Sequence, residues 1–172
     1  MRRVLWMAAA VLLTACGGAA GQYYRLPDSG FELVQDARVP VLLKVVMPDS
    51  LNGESLVYQT SATQVHFTRQ HQWSEEPAPA VAKSLANALN RQGGRYRYTV
   101  TAEGRGPTLT VYIERFQGQY NGHTRVSGYS QWSDGTPGRN FDIETPQQGD
   151  GYDAMVQSLA EGLRRAAAVV AP

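Results

Sequence analysis

Residues 77–100, PAPAVAKSLANALNRQGGRYRYTV, change their hydrophobic period once, and that change sets the class of fold. Val81, Leu85, Ala88, Leu89 and Gln92 fall at helical spacing, the pattern of a helix with one apolar face. Glu75 and Glu76 stand just ahead of it, where acidic side chains suit the positive end of the helix dipole. Gly93-Gly94 stops the helix, glycine being the residue that tolerates the backbone turn of a helix end. Beyond the glycines Tyr96, Tyr98 and Val100 alternate with Arg95, Arg97 and Thr99, the period of a half-buried strand. Helix and strand therefore belong to one layered α/β unit.

Outward from this stretch the chain reads mostly as strands. Tyr23–Leu26 is a first strand ended by Pro27, and Val39–Val46 is a buried one with Pro40 at its start, where no ladder donor is needed. Leu56–Gln59 and Gln64–Thr68 make a hairpin around Ser61-Ala62. Pro48-Asp49-Ser50 and Asn52-Gly53 are turn signals. Thr108–Phe116 and Thr124–Trp132 follow, joined by a turn in Gly118–Gly122, and Ser133–Gly138 leads into a short strand, Asn140–Glu144. Tyr152, Met155, Val156, Leu159, Leu163, Ala166 and Val170 then line one face of a long amphipathic helix, with Asp150 or Asp153 placed to cap it. The order predicts a single α/β (α+β) domain over residues 22–172: a mixed, largely antiparallel sheet packed by two main helices.

The first fifteen residues are of another kind. Met1-Arg2-Arg3 and the apolar run Val4–Leu13 have the charge and length of a secretory signal, too short to span a bilayer. Leu13-Thr14-Ala15-Cys16 then resembles the bacterial lipobox, in which the Cys sulfur takes diacylglycerol, the chain is cut before it, and the new amino terminus is acylated. The competing reading is an inert Cys16 in a signal cut elsewhere; basic region, apolar run and box in register favour lipidation. Residues 1–15 are thus a removed lipoprotein signal peptide, and 16–21 the lipidated Cys16 with its flexible leash Gly17-Gly18-Ala19-Ala20-Gly21. Each leash residue reaches at most about 3.6 Å, so the domain stays close to the bilayer. Cleavage removes Arg2 and Arg3 and leaves 14 basic against 15 acidic residues, which argues against a nucleic-acid partner.

No constellation for catalysis assembles. Gly128-Tyr129-Ser130-Gln131-Trp132 lacks the second glycine of a nucleophile elbow and lies within a strand. His66, His71 and His123 fit no metal-ligand spacing and read as surface histidines. Glu75-Glu76 reads as a solvated helix start, and Gly104-Arg105-Gly106 and Gly149-Asp150-Gly151 are too short for a phosphate loop. Arg95 and Arg97 are either headgroup contacts or, as favoured, the wet face of a strand. Trp73 is a core plug or an interface anchor, with the core favoured. The expectation is a non-enzymatic protein with no cofactor or metal beyond the covalent diacylglycerol and N-acyl chain on Cys16.

Five stretches carry a family resemblance: Tyr23-Tyr24-Arg25-Leu26-Pro27; Leu56-Val57-Tyr58-Gln59-Thr60 through to His71-Gln72-Trp73-Ser74-Glu75; Phe116-Gln117-Gly118; Val126-Ser127-Gly128-Tyr129; and Gly151-Tyr152-Asp153-Ala154-Met155-Val156. In their order and spacing they resemble the ABC-type transport auxiliary lipoproteins of the PqiC type over essentially the whole mature chain. The resemblance implies a periplasm-facing lipoprotein in the inner leaflet of a Gram-negative outer membrane, with no catalytic residues. It implies an MCE-domain protein as partner, a conduit for phospholipid between two membranes. A mechanism consistent with this is a docking collar, in which the domain, as a homo-oligomer, receives the end of that conduit. Candidate partner-interface residues on the matching motifs are Tyr58, Gln59, Trp73 and Tyr152. Gly17 is not the Asp that retains enteric lipoproteins in the inner membrane, which favours the outer one. The departures are Ser74, where Ala is expected, and the polar Gln70-His71-Gln72. The alternative function is a carrier of lipid or a small ligand, which needs an enclosed apolar cavity; two helices on one sheet leave little room for one.

Overall fold

The computed structural model describes residues 20–172. The signal region, Cys16 and Gly17 lie outside the described residues. The elements in order are β1 (Gln22–Tyr24), β2 (Val39–Val46), β3 (Ser55–Gln59), β4 (Val65–Trp73), α1 (Pro77–Gln92), β5 (Tyr96–Thr99), β6 (Thr108–Gly118), β7 (His123–Trp132), β8 (Asn140–Pro146) and α2 (Gly151–Val170). All eight strands form one sheet, and both helices lie on the same face of it, side by side.

The long strand β6 is the spine. Along one edge it pairs with β7, which in turn pairs with β8. Along the other edge β2 occupies Thr108–Tyr112 and β3 meets only Gly118, so β2 and β3 lie end to end. β5 lies outside β2, β4 outside β3, and β1 outside β4. The sheet is mixed rather than largely antiparallel, which corrects the expectation from sequence. Strands consecutive in the chain (β3–β4, β6–β7, β7–β8) pair antiparallel. The pairings β1–β4, β2–β5, β2–β6 and β3–β6, all between strands distant in sequence, are parallel. Turn signals reveal the first kind of neighbour and are silent about the second.

The helices bury what their spacing promised. Val81, Leu85 and Leu89 of α1 and Met155, Leu159, Leu163, Ala166 and Val170 of α2 are all buried, each large aliphatic side chain contributing roughly 1.5–3 kcal/mol of transfer free energy. Gly162 lets α2 approach the sheet: a Cβ there would lie 2.7 Å from Val126 Cγ2. Two buried asparagines of α1 fasten its surroundings. Asn87 Nδ2 donates to the carbonyls of Asp28 and Gly30, and its Oδ1 accepts from the Glu32 amide. Asn90 exchanges two hydrogen bonds with the backbone of Tyr98.

Neither helix is capped by the residue just before it. Asp150 is in the N-cap position of α2 but its side chain makes no capping bond. At α1 the cap comes from across a loop: Asn52 Oδ1 accepts from the Ala78 amide at 2.8 Å while its Nδ2 donates to Glu76. Glu75 accepts from Ser29 Oγ at 2.6 Å and pairs with Lys83. The two glutamates are thus partnered rather than merely solvated. Gly106 also has a structural task, since a Cβ there would fall 1.8 Å from the carbonyl oxygen of Pro40.

The strand topology defines two ends of the molecule. One end holds the β3–β4 and β6–β7 turns, the end of β8 and the start of α2. The other holds the starts of β2, β5, β6 and β8 and the last turns of both helices. β1 enters near the first end, for Gln22 is opposite His71, whose ring stacks on Tyr152 in the first turn of α2.

Candidate functional site

At this first end five rings from four elements meet. Tyr58, next to last in β3, lies opposite both Gly118 of β6 and His66 of β4. Gly118 makes the approach feasible: a Cβ there would lie 2.5 Å from Met155 Sδ and 3.3 Å from Tyr58 Cβ. Tyr152 stacks on His71 with ring centroids 3.9 Å apart, and Tyr24 and Tyr58 flank it at 6.1 and 6.3 Å. His66 lies 5.3 Å from Tyr58. Tyr24 Oη and His71 Nδ1 share a hydrogen bond of 2.8 Å. Tyr58, Gly118, Tyr152 and Met155 line a shallow depression of about 230 Å³.

The histidines reach one face through an irregularity. His66 and His71 are an odd number of residues apart, so a regular strand would point them to opposite faces. β4 bulges between them: Phe67 is opposite Val57 and Gln72 opposite Ser55, so β4 takes five steps where β3 takes two. Thr68 Oγ1 bonds the Leu56 carbonyl at 3.1 Å and also contacts the His71 carbonyl, closing the bulge. β4 therefore continues to Trp73, beyond the strand end expected at Thr68, where the polar run Arg69–Gln72 hid the continuation.

The four candidate interface residues are not all together. Tyr58 and Tyr152 are in the cluster, both half-buried. Gln59 is the adjacent residue of β3 and serves the turn, its Nε2 donating to the Ala62 carbonyl and its Oε1 accepting from Gln117. Trp73 lies in the core, 7% exposed, its ring stacked on Phe116. Tyr24, His66 and His71 belong to the cluster and were not singled out from sequence as interface residues.

Its chemistry is that of an amphipathic surface of rings edged by hydroxyls and imidazoles. Burial, with the nearby Asp153 carboxylate, pushes the Tyr24 phenol up from its ordinary value. Burial, then Tyr58 and Tyr24, does the same to Tyr152, so both phenols stay protonated. Among the described residues no group of three or more His, Cys, Asp or Glu is placed to hold a metal ion. Ser130 lies within β7 with its Oγ bonded to the Arg139 backbone. Arg95 and Arg97 are near the other end: Arg95 lies over the Tyr96 ring and Arg97 pairs with Glu103.

A single domain with a mixed sheet, both helices on one face and a ring cluster at one end is the class of fold, and comparison with known proteins gives its family. The chain belongs to the ABC-type transport auxiliary lipoprotein component family, whose model matches residues 24–171. It is 32% identical over 184 residues to the intermembrane transport lipoprotein PqiC of Escherichia coli (strain K12), covering 99% of this chain and 96% of that one. The PqiC of Shigella flexneri matches to the same extent. A crystal structure of an uncharacterized protein superposes with a TM-score of 0.76 at 29% identity, over 87% of this chain and 95% of that one. A crystal structure of a Xanthomonas campestris protein shares the fold, with a TM-score of 0.62 at 14% identity over 86% and 88% of the two chains. The family and these relatives support a transport-auxiliary role. Among the described residues no helix is long and apolar enough to cross a membrane.

Proposed function

We propose that this chain is a non-catalytic docking subunit of an MCE-type phospholipid transport system, anchored by acylated Cys16 in the inner leaflet of the outer membrane and facing the periplasm. The observation that carries the reading is a juxtaposition. The first strand begins at Gln22, six residues after Cys16 in the sequence, and it begins beside the ring cluster. Six residues span at most about 22 Å, so the cluster is held near the leaflet that a conduit must reach to deliver or collect lipid. Half-buried tyrosines on a rigid frame offer apolar area and a hydrogen-bonding edge at small entropic cost, the properties of interface anchors. Tyr58 and Tyr152, with Gln59 beside them, receive the end of the conduit, and several copies of this chain surround it. Gly17 supports the outer-membrane address.

Native membranes crosslinked and pulled down through this chain test the reading. The parent should bring an MCE-domain protein with it, and Tyr58→Ala should lose that partner while remaining folded, with a cooperative unfolding transition. Cys16→Ala should move the chain to the soluble periplasmic fraction. Continued membrane fractionation would contradict the anchor, and an undiminished yield of partner from Tyr58→Ala would contradict the docking site.

A further inference from the structure

The two ends of the domain differ in charge, and the difference follows the leash. At the end where β1 enters, the β3–β4 turn is Thr60-Ser61-Ala62-Thr63-Gln64 and the β6–β7 turn is Gln119-Tyr120-Asn121-Gly122, without an ionisable charge between them. The loop from β8 to α2, Gln147-Gln148-Gly149-Asp150, has one carboxylate. These segments are tied together. The Gln147 amide donates to the Gly122 carbonyl, Gln147 Nε2 to the Gly151 carbonyl, and Gln59 links Ala62 to Gln117. At the opposite end every loop is charged, with Asp36 and Arg38 before β2, Arg95 before β5, Glu103 and Arg105 before β6, and Asp134 and Arg139 before β8.

This end, whose charges are the carboxylates of Glu144, Asp150 and Asp153 beside the turns, also exposes aromatic rings. Tyr23 is 68% exposed beside the leash and Tyr120 is 63% exposed at the tip of the β6–β7 hairpin. Tyr58 and Tyr24 both lean on Tyr152; Tyr120 is two residues beyond Gly118, which lies against Tyr58, and Tyr23, next to Tyr24 in β1, faces the opposite side of the sheet. Tyrosine rings concentrate where water meets lipid, apolar body inward and hydroxyl toward the headgroups. Amide and hydroxyl side chains can enter that layer without the desolvation cost that a charge meets near hydrocarbon.

We infer that this end is a seat on the phospholipid surface, with Tyr23 and Tyr120 placed in the headgroup layer of the leaflet that holds Cys16. The inference rests on the reading of Cys16 as lipidated. With a diacylglycerol and an N-acyl chain the anchor itself does not need the tyrosines, since two acyl chains already give stable attachment. The seat instead fixes orientation. It stands the domain on the end that holds the two uncharged turns, points the charged loops at the helix C-termini into the periplasm, and holds the ring cluster beside the leaflet.

The test uses the mature lipidated protein, from Cys16 to Pro172, in vesicles of phosphatidylethanolamine and phosphatidylglycerol, with and without brominated acyl chains that quench indole fluorescence. Tyr23→Trp and Tyr120→Trp are compared with Leu33→Trp, a site 62% exposed in the loop that runs along α1. All three positions are exposed, so the fold tolerates the change, and the native Trp73 and Trp132 are buried and give a constant background. Tyr23→Trp and Tyr120→Trp should each lose emission in brominated vesicles and shift to the blue, and Leu33→Trp should do neither. If either tyrosine position behaves like Leu33→Trp while the protein floats with the vesicles, the seat is overturned and the anchor stands. If the protein fails to float with the vesicles, the lipidated anchor fails and the seat with it.

Discussion

Tyr58 and Trp73 appear in the same family motif, yet their surroundings give them different work. Trp73 is stacked on Phe116 and nearly sealed from solvent, so its removal leaves a hole that the sheet and α1 cannot close. Trp73→Ala should cost about 3–5 kcal/mol in urea unfolding, the usual range for an aromatic removed from a core. Tyr58 keeps one edge in water, and its loss should cost less than half of that. Equal stabilities for Trp73→Ala and the parent would show that the ring is not structural. The sequence favours the core for Trp73 over an interface, and the structure agrees; a single tryptophan after a polar run has no periodicity of its own to name its neighbours. Gly106 shows a similar blindness. Its glycine reads as loop chemistry in sequence, but the structure shows a close approach to Pro40.

Between elements, a few polar contacts decide how loops attach to helices. Glu75 is the clearest case: it holds Ser29 of the β1–β2 loop and Lys83 of α1 at once. The Ser29 hydroxyl first, and then Lys83, hold its carboxyl below the ordinary value of 4.5. A carboxyl whose folded value is depressed stabilises the fold above its unfolded value and loses that contribution as pH falls through the folded one. Glu75→Gln should therefore be less stable than the parent at pH 7, with the gap closing as the pH is lowered below 4.5. Chemical denaturation across that range measures it, and a gap that stays constant with pH would refute the linkage. A glutamate before a helix was legible as a helix-start signal. Its partner Ser29, 46 residues upstream, was not, because nothing local in the chain announces so distant a contact.

At the scale of the molecule, the arrangement bears on carrier against docking subunit. Helices and sheet meet through a continuous core from Val41 and Leu43 to Leu163 and Val170. The larger hollows, about 580 Å³ beside Tyr96 and Tyr98 and about 630 Å³ beside Val45 and Ala82, are clefts open to solvent. A carrier must enclose the chains it moves. Purified protein extracted with organic solvent should therefore yield no stoichiometric phospholipid by mass spectrometry. One bound phospholipid per chain would move the function from docking to carriage.

The elements themselves were readable from the residues: two helices from their 3.6-residue period, strands from alternation and turns, and the expected lipid site from a motif whose chemistry is local. Those signals act over a few residues, so the chain alone determines them. The parallel pairings, the bulge that turns His71 toward His66, the stacking of Trp73 on Phe116 and the gathering of the uncharged turns at one end were decided only by tertiary structure. Each depends on which distant segments meet, and that is set by the closing of the whole core rather than by any stretch within it.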